Sequence, residues 1–255
     1  MACSISRNKA IADYLSSNGY MDALEQEGFT PWRNSADEII GWKMAATTSP
    51  TGSVLIVHGN AGCALDRSYI ARPIHEAGAM DVLVLEYPGY GARSGTPGQK
   101  SFLAAGEKAF AALPTNMPIY VVSESIGAGV AAHLAKVYPD GVTGMVMFVP
   151  YDNLASVAQS KMPLLLPYLF LMDRYKPAEW MKDYRGPVTM VIAGADEIIP
   201  PKSGQRLFDS YAGAKTLQII SGARHNDVAE QLPEWWQNVF GLWAKHPARQ
   251  SKAIR

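Results

Sequence analysis

From about residue 53 the chain alternates short, continuously apolar runs with helix-patterned segments. The runs are Val54–His58 (VLIVH), Val82–Glu86 (VLVLE), Ile119–Val122 (IYVV), Val142–Val149 (VTGMVMFV), Val188–Ala193 (VTMVIA) and Thr216–Ile220 (TLQII). A strand with one wet face alternates apolar and polar residues, whereas a run without alternation suits a strand covered on both faces. Between the runs, Phe102, Ala105, Ala109, Phe110 and Leu113 recur at helical spacing, and Ile126 to Tyr138 is alanine-rich and apolar nearly all round. Arg67 to Ala77 reads as a helix ended by Gly78, and Trp236, Val239, Phe240 and Trp243 give one apolar face to a closing helix. Thr96-Pro97-Gly98-Gln99 reads as a capping box with proline at the first helical position, and Asp227 and Glu230 as capping groups for the closing helix. This rhythm predicts an α/β domain whose central sheet is mainly parallel, with helices on both faces.

One connection is out of proportion. Residues from about 151 to 185 separate two strands where connections in compact domains usually run to about 6 residues, so a short helical cap over the carboxyl end of the sheet is expected there. The expected divisions are an N-terminal helical segment over 1–36, the α/β domain over 37–243 and a basic tail over 244–255. Within the cap, Met162 to Met172 (MPLLLPYLFLM) is too short for a membrane span, which needs about 20 apolar residues.

Composition removes several function classes. Lys+Arg and Asp+Glu both number 23, and this balance argues against a nucleic-acid partner. Cys3 and Cys63 make neither a disulfide framework nor a metal-ligand spacing, and no HExxH, Walker loop or EF-hand spacing occurs, so no metal is expected. The first thirty residues hold no apolar stretch of signal-peptide type, which predicts a cytoplasmic location, although a chain trimmed of its signal would read the same.

The residues that carry chemistry fall at strand ends. Ser123-Glu124-Ser125-Ile126-Gly127 follows IYVV and opens the alanine-rich helix. A nucleophilic serine stands on a sharp strand-to-helix turn, with small residues two before and two after it, in the pattern G-x-S-x-G; here Ser123 replaces the first glycine. The overlapping Gly127-Ala-Gly129-Val-Ala-Ala132 also matches a dinucleotide fingerprint, with Asp152 as its acid. Four residues separate the strand from Gly127, however, which places the glycines inside the helix as packing residues and argues against that cofactor. Asp196 (in GADEIIPP) and His225 (in GARHND) each follow a strand, so Ser125, Asp196 and His225 appear in the order nucleophile, acid, base. The loop His58-Gly59-Asn60-Ala61-Gly62 follows the first strong strand. Backbone N–H donors for an oxyanion are expected from Ile126 and from Asn60, with Ala61 next.

Taken in series, HGNAG, Glu86-Tyr-Pro-Gly-Tyr-Gly-Ala-Arg-Ser-Gly95, SESIG, GADEIIP and ARHND resemble the α/β-hydrolase superfamily. Within it they are most similar to the small esterase or thioesterase branch described as serine aminopeptidase-like or lysophospholipase-like. The resemblance covers about residues 37 to 243 and implies hydrolysis through an acyl-enzyme on Ser125 without metal or organic cofactor. The expected function is cleavage of carboxylic esters with small to medium acyl or aromatic groups. Alternatives are a thioesterase, a lysophospholipase-like acyl hydrolase and a non-catalytic ligand-binding member of the fold. The expected partner is a small-molecule ester. Leu165, Tyr168, Leu169 and Phe170 in the cap are candidates for an acyl pocket or for the cap's own core. Glu86 and Glu124, if open to the pocket, would disfavour anionic substrates; paired, they would not.

Overall fold

The computed structural model describes residues 28–91, 93–161 and 174–246. Eight strands form one sheet: β1 (Phe29–Arg33), β2 (Ile39–Met44), β3 (Gly52–Val57), β4 (Met80–Leu85), β5 (Ile119–Glu124), β6 (Val142–Phe148), β7 (Val188–Ala193) and β8 (Lys215–Ile220). Their order is β1-β2-β4-β3-β5-β6-β7-β8. β3 to β8 are mutually parallel, while β2 runs antiparallel to both β4 and β1. Parallel neighbours require crossovers. These are supplied by α1 (Ser68–Ala77), α2 (Gln99–Ala111), α3 (Gly127–Val137), the pair α4 (Leu154–Lys161) and α5 (Pro177–Trp180), and α6 (Pro201–Ser210), with α7 (Pro233–Lys245) closing the chain's described part.

Side chains alternate across each strand, so the sheet feeds two cores. Leu55, Val57, Val121, Met145 and Met147 face the layer holding Phe102 of α2, Val130 of α3 and Leu207 of α6. Val54, Ile56, Val122, Val146 and Phe148 face Ile70 and Ile74 of α1 and Trp236 and Trp243 of α7. This double cover explains the unbroken apolar runs of β3 to β7; β8, at the edge of the sheet, is only partly covered. From β3 the chain moves first to one side, to β4, and then to the other, to β5. The strand order therefore reverses between β3 and β5, and a crevice opens at their carboxyl ends.

Three local expectations are corrected. Residues 29–33, assigned to an N-terminal helical segment, form β1. Phe29 is buried, and the strand finds its hydrogen bonds on β2, the next strand along the chain, as the first arm of an antiparallel hairpin. β2 itself depends on Gly41, where a Cβ would lie 2.2 Å from the carbonyl oxygen of Val84. Helix α2 begins at Gln99 rather than Pro97, with Gly98 at φ +158° before it and the Pro97 ring packed beside Gly89. Helix α7 begins at Pro233 after Leu232, so Asp227 and Glu230 are not its caps, and it runs two residues past the expected domain end at 243. Residues 1–27, most of the tail, and the cap stretch with Leu165, Tyr168, Leu169 and Phe170 lie outside the described residues.

Candidate active site

Ser125 occupies the turn between β5 and α3 with φ +53°, a left-handed conformation unusual for serine and worth about 1–3 kcal/mol of strain. Its neighbours hold it there. The Ser125 N–H donates to the Phe148 carbonyl at 3.0 Å, and its carbonyl accepts from the Ala128 N–H at 2.9 Å. Gly127 allows the helix to start so close to β3: a Cβ there would stand 2.1 Å from the Val57 carbonyl oxygen. Ser123, the departure from the glycine pattern, is fully buried, and its hydroxyl reaches the Val146 carbonyl at 3.4 Å. A serine therefore fits this strand position with its polar atom placed.

The turn brings together residues distant in sequence. His225 Nε2 lies 3.1 Å from Ser125 Oγ, and His225 Nδ1 lies 2.7 Å from Asp196 Oδ2. A neutral imidazole with its hydrogen on Nδ1 satisfies both contacts, donating to the carboxylate and accepting from the hydroxyl. The other Asp196 oxygen accepts the N–H groups of Ile198 and Ile199, each at 2.8 Å, so both carboxylate oxygens are engaged and its orientation is set. The base and acid loops are also tied by the Ala195 N–H, which donates to the Ala223 carbonyl at 2.8 Å. Asp227, read from sequence as a helix cap, instead accepts the Arg224 N–H at 2.8 Å and closes the turn that presents His225.

The loop after β3 passes beside the elbow. A Cβ on Gly59 would lie 3.5 Å from that of Ser125. Asn60 is half-buried and Ala61 exposed, whereas Ile126, half-buried, directly follows Ser125. The N–H groups of Ala61 and Ile126 donate to no backbone carbonyl among the described residues. Two tyrosines with no exposed surface hold this loop from below: the Tyr87 hydroxyl donates to the His58 carbonyl at 3.2 Å, and the Tyr90 hydroxyl lies 3.0 Å from the Asn60 carbonyl and 2.9 Å from its Oδ1. Burial pushes the Tyr87 hydroxyl's ionisation well above the ordinary phenol range, so it acts as a fixed donor. Sequence reasoning missed both tyrosines, because nothing in EYPGYG distinguishes a core ring from a donor.

Glu86 and Glu124 are buried and partnered. Glu86 accepts the Ala64 N–H at 3.2 Å and faces His58 Nε2 at 3.4 Å. Glu124, directly before Ser125, pairs with Arg67 Nε at 2.7 Å and accepts the Tyr69 hydroxyl at 3.1 Å. Paired in this way, Glu124 gives no ground for exclusion of anionic substrates. Cys63 is buried, and its thiol is pushed up to about 12, first by burial and then by the charges of Glu86 and Asp66, so it offers no competing thiolate nucleophile.

Comparison with known proteins agrees with this architecture. An uncharacterized protein of Mycobacterium tuberculosis is 31% identical over 193 residues, covering 73% of this chain and 68% of its own length. The lysophosphatidylserine lipase of Danio rerio is 24% identical over 85% of this chain and 64% of its own length. Among solved structures, Est1E from Butyrivibrio proteoclasticus with ferulic acid bound superposes with a TM-score of 0.65 at 16% identity, covering 80% of this chain and 95% of that one. A monoacylglycerol lipase of Paleococcus ferrophilus gives 0.60 at 19% identity, over 81% of this chain and 99% of its own. Separately, a model of the PAC1 LisH domain matches residues 6–26, outside the described residues. With its sheet order, its strained serine turn and these relatives in agreement, the chain belongs to the α/β-hydrolase superfamily.

Proposed function

We propose that this protein is a serine hydrolase that cleaves carboxylic esters with small to medium acyl or aromatic groups. The observation that carries the reading is the unbroken chain from Ser125 Oγ to His225 Nε2 at 3.1 Å and from His225 Nδ1 to Asp196 Oδ2 at 2.7 Å. Ser125 Oγ attacks the ester carbonyl carbon while its proton passes to Nε2; Asp196 stabilises the imidazolium and keeps its orientation. The oxyanion accepts hydrogen bonds from the N–H of Ile126 and from that of Asn60 or Ala61. Collapse of the tetrahedral intermediate expels the alcohol, which takes the proton from Nε2, and water then releases the acid by the same route in reverse.

A fluorophosphonate probe and a chromogenic ester panel of graded acyl length, with one thioester and one lysophospholipid, test this reading. Stoichiometric labelling that disappears in Ser125→Ala, with turnover on the shorter or aromatic esters, is expected; an unlabelled, inert protein overturns it. Ferulic acid bound to Est1E supports the aromatic arm of the panel. The lysophosphatidylserine lipase among the relatives supports a second reading, a lysophospholipid acyl hydrolase, which preferential turnover of the lysophospholipid would establish.

A further inference from the structure

Four consecutive carbonyls of the loop after β3 are held by side chains. The acceptors and their holders are His58 with the Tyr87 hydroxyl at 3.2 Å, Gly59 with His58 Nδ1 at 2.7 Å, Asn60 with the Tyr90 hydroxyl at 3.0 Å, and Ala61 with Arg67 Nη2 at 2.6 Å. In a planar trans peptide the C=O of one residue and the N–H of the next point in opposite directions. Holding the Gly59 and Asn60 carbonyls therefore aims the N–H groups of Asn60 and Ala61 the other way.

Of these holders, Arg67 also reaches the strand that carries the nucleophile. Its Nε donates to Glu124 Oε2 at 2.7 Å, one residue before Ser125, while its Nη2 holds Ala61. Glu124 Oε2 in turn accepts the Gly59 N–H at 3.4 Å, and the Tyr69 hydroxyl holds the other carboxylate oxygen. Both partners are nearly out of water, with Arg67 at 7% and Glu124 at 6% exposure. Desolvating two charges to this degree consumes most of what their attraction returns, so an apolar pair of similar volume would serve stability as well. What an apolar pair cannot do is bridge two backbone segments through a planar fork.

We propose that Arg67 is a positioning residue: its guanidinium, clamped between Glu124 and the Ala61 carbonyl, sets the spacing between the oxyanion loop and Ser125. The inference rests on the hydrolase reading above. It concerns the tetrahedral state more than substrate binding, because the carbonyl oxygen moves toward the loop only as the Ser125 Oγ bond forms.

The test uses Arg67→Lys, which keeps the charge with a single nitrogen, and the double variant Arg67→Met with Glu124→Leu, which removes both charges and so avoids an unpaired buried one. Active sites are counted by fluorophosphonate titration, and kcat per titrated site, KM, Tm and affinity for an alkyl boronic acid are measured. The expected result for the double variant is a Tm lowered only modestly, since the Ala61 carbonyl, Gly59 N–H and Tyr69 hydroxyl lose these partners, with a kcat per site lower by about 10- to 100-fold and a KM changed by less than about 2-fold. Boronate affinity should fall in parallel with kcat/KM, and Arg67→Lys should lie between parent and double variant. A purely structural role would lower Tm and the count of titratable sites while leaving kcat per site intact. Kcat per site within about 2-fold of the parent in both variants, with parental boronate affinity, overturns the inference alone. If the double variant does not fold, Arg67→Lys decides by the same criteria. A parent that neither labels nor hydrolyses overturns the hydrolase reading and this inference with it.

Discussion

Residues 58–62 and 222–227 each leave the carboxyl end of a strand, and each approaches Ser125, yet they are anchored differently. The first loop has its carbonyls held by Tyr87, His58, Tyr90 and Arg67, all buried and drawn from other parts of the chain as well as its own. The second is held by a turn of its own, closed by Asp227 on the Arg224 N–H, by one backbone bond to the acid loop, and by the His225–Asp196 contact. The difference follows the two jobs proposed for them. Dipoles that stabilise developing charge work best when oriented before the reaction. An imidazole that takes a proton from one oxygen and delivers it to another gains from a looser mooring.

The largest expected effect comes from the second loop. His225→Ala should lower kcat by at least about 1,000-fold in single-turnover assays. Next is Tyr90→Phe, which leaves the Asn60 carbonyl and side chain without their hydroxyl. A kcat loss of about 10-fold with little change in KM is expected, together with about 1 kcal/mol of destabilisation in denaturant melts. Asp227→Ala should cost only about 3-fold in kcat, because the Asp196 contact still orients the ring; amide exchange should quicken at 223–227 and not at 58–62. Equal kcat losses for Tyr90→Phe and Asp227→Ala would break the contrast between the loops.

The smallest effect serves as a control away from both. Burial pushes the Asp152 carboxyl up, but hydrogen bonds from Arg206 and Ser203, with the Arg206 charge, outweigh it and hold the group below the usual carboxylate range. A depressed native value stabilises the fold above the unfolded carboxylate range, and that contribution disappears as pH falls through the native value. Asp152→Asn should therefore lower stability near neutral pH by less than about 1 kcal/mol, for so exposed a guanidinium, and in melts the gap from the parent should close in strong acid. Activity of the correctly folded variant should stay parental.

Six of the eight strands are legible in the sequence: β3 to β7 because burial on both faces makes them unbroken apolar runs, and the edge strand β8, only partly covered, from the shorter run TLQII. β1 and β2 are not: they lie at one end of the sheet, Pro31 interrupts the first, and Gly41 in the second answers a backbone contact with β4. Of the proposed site, Ser125, Asp196 and His225 can be nominated from short motifs at strand ends, since each motif is local. Arg67, Tyr69, Tyr87 and Tyr90 carry no such signal. An arginine beginning a helix or a tyrosine after a strand looks the same whether it faces solvent, fills a core or holds a carbonyl. Asp227 was misread for the same reason: an acid shortly before a helix resembles a cap until the helix is seen to start at Pro233.

Periodicity and motif order alone determined the layered α/β architecture and the residues proposed to exchange a proton, because each depends on neighbours within a few positions of the chain. Which side chains restrain the backbone around Ser125 was decided only by the fold. Most of those contacts join segments far apart in the chain, up to 65 residues for Gly59 and Glu124. They exist only once β3, β4 and β5 lie side by side and bring their carboxyl ends into one crevice.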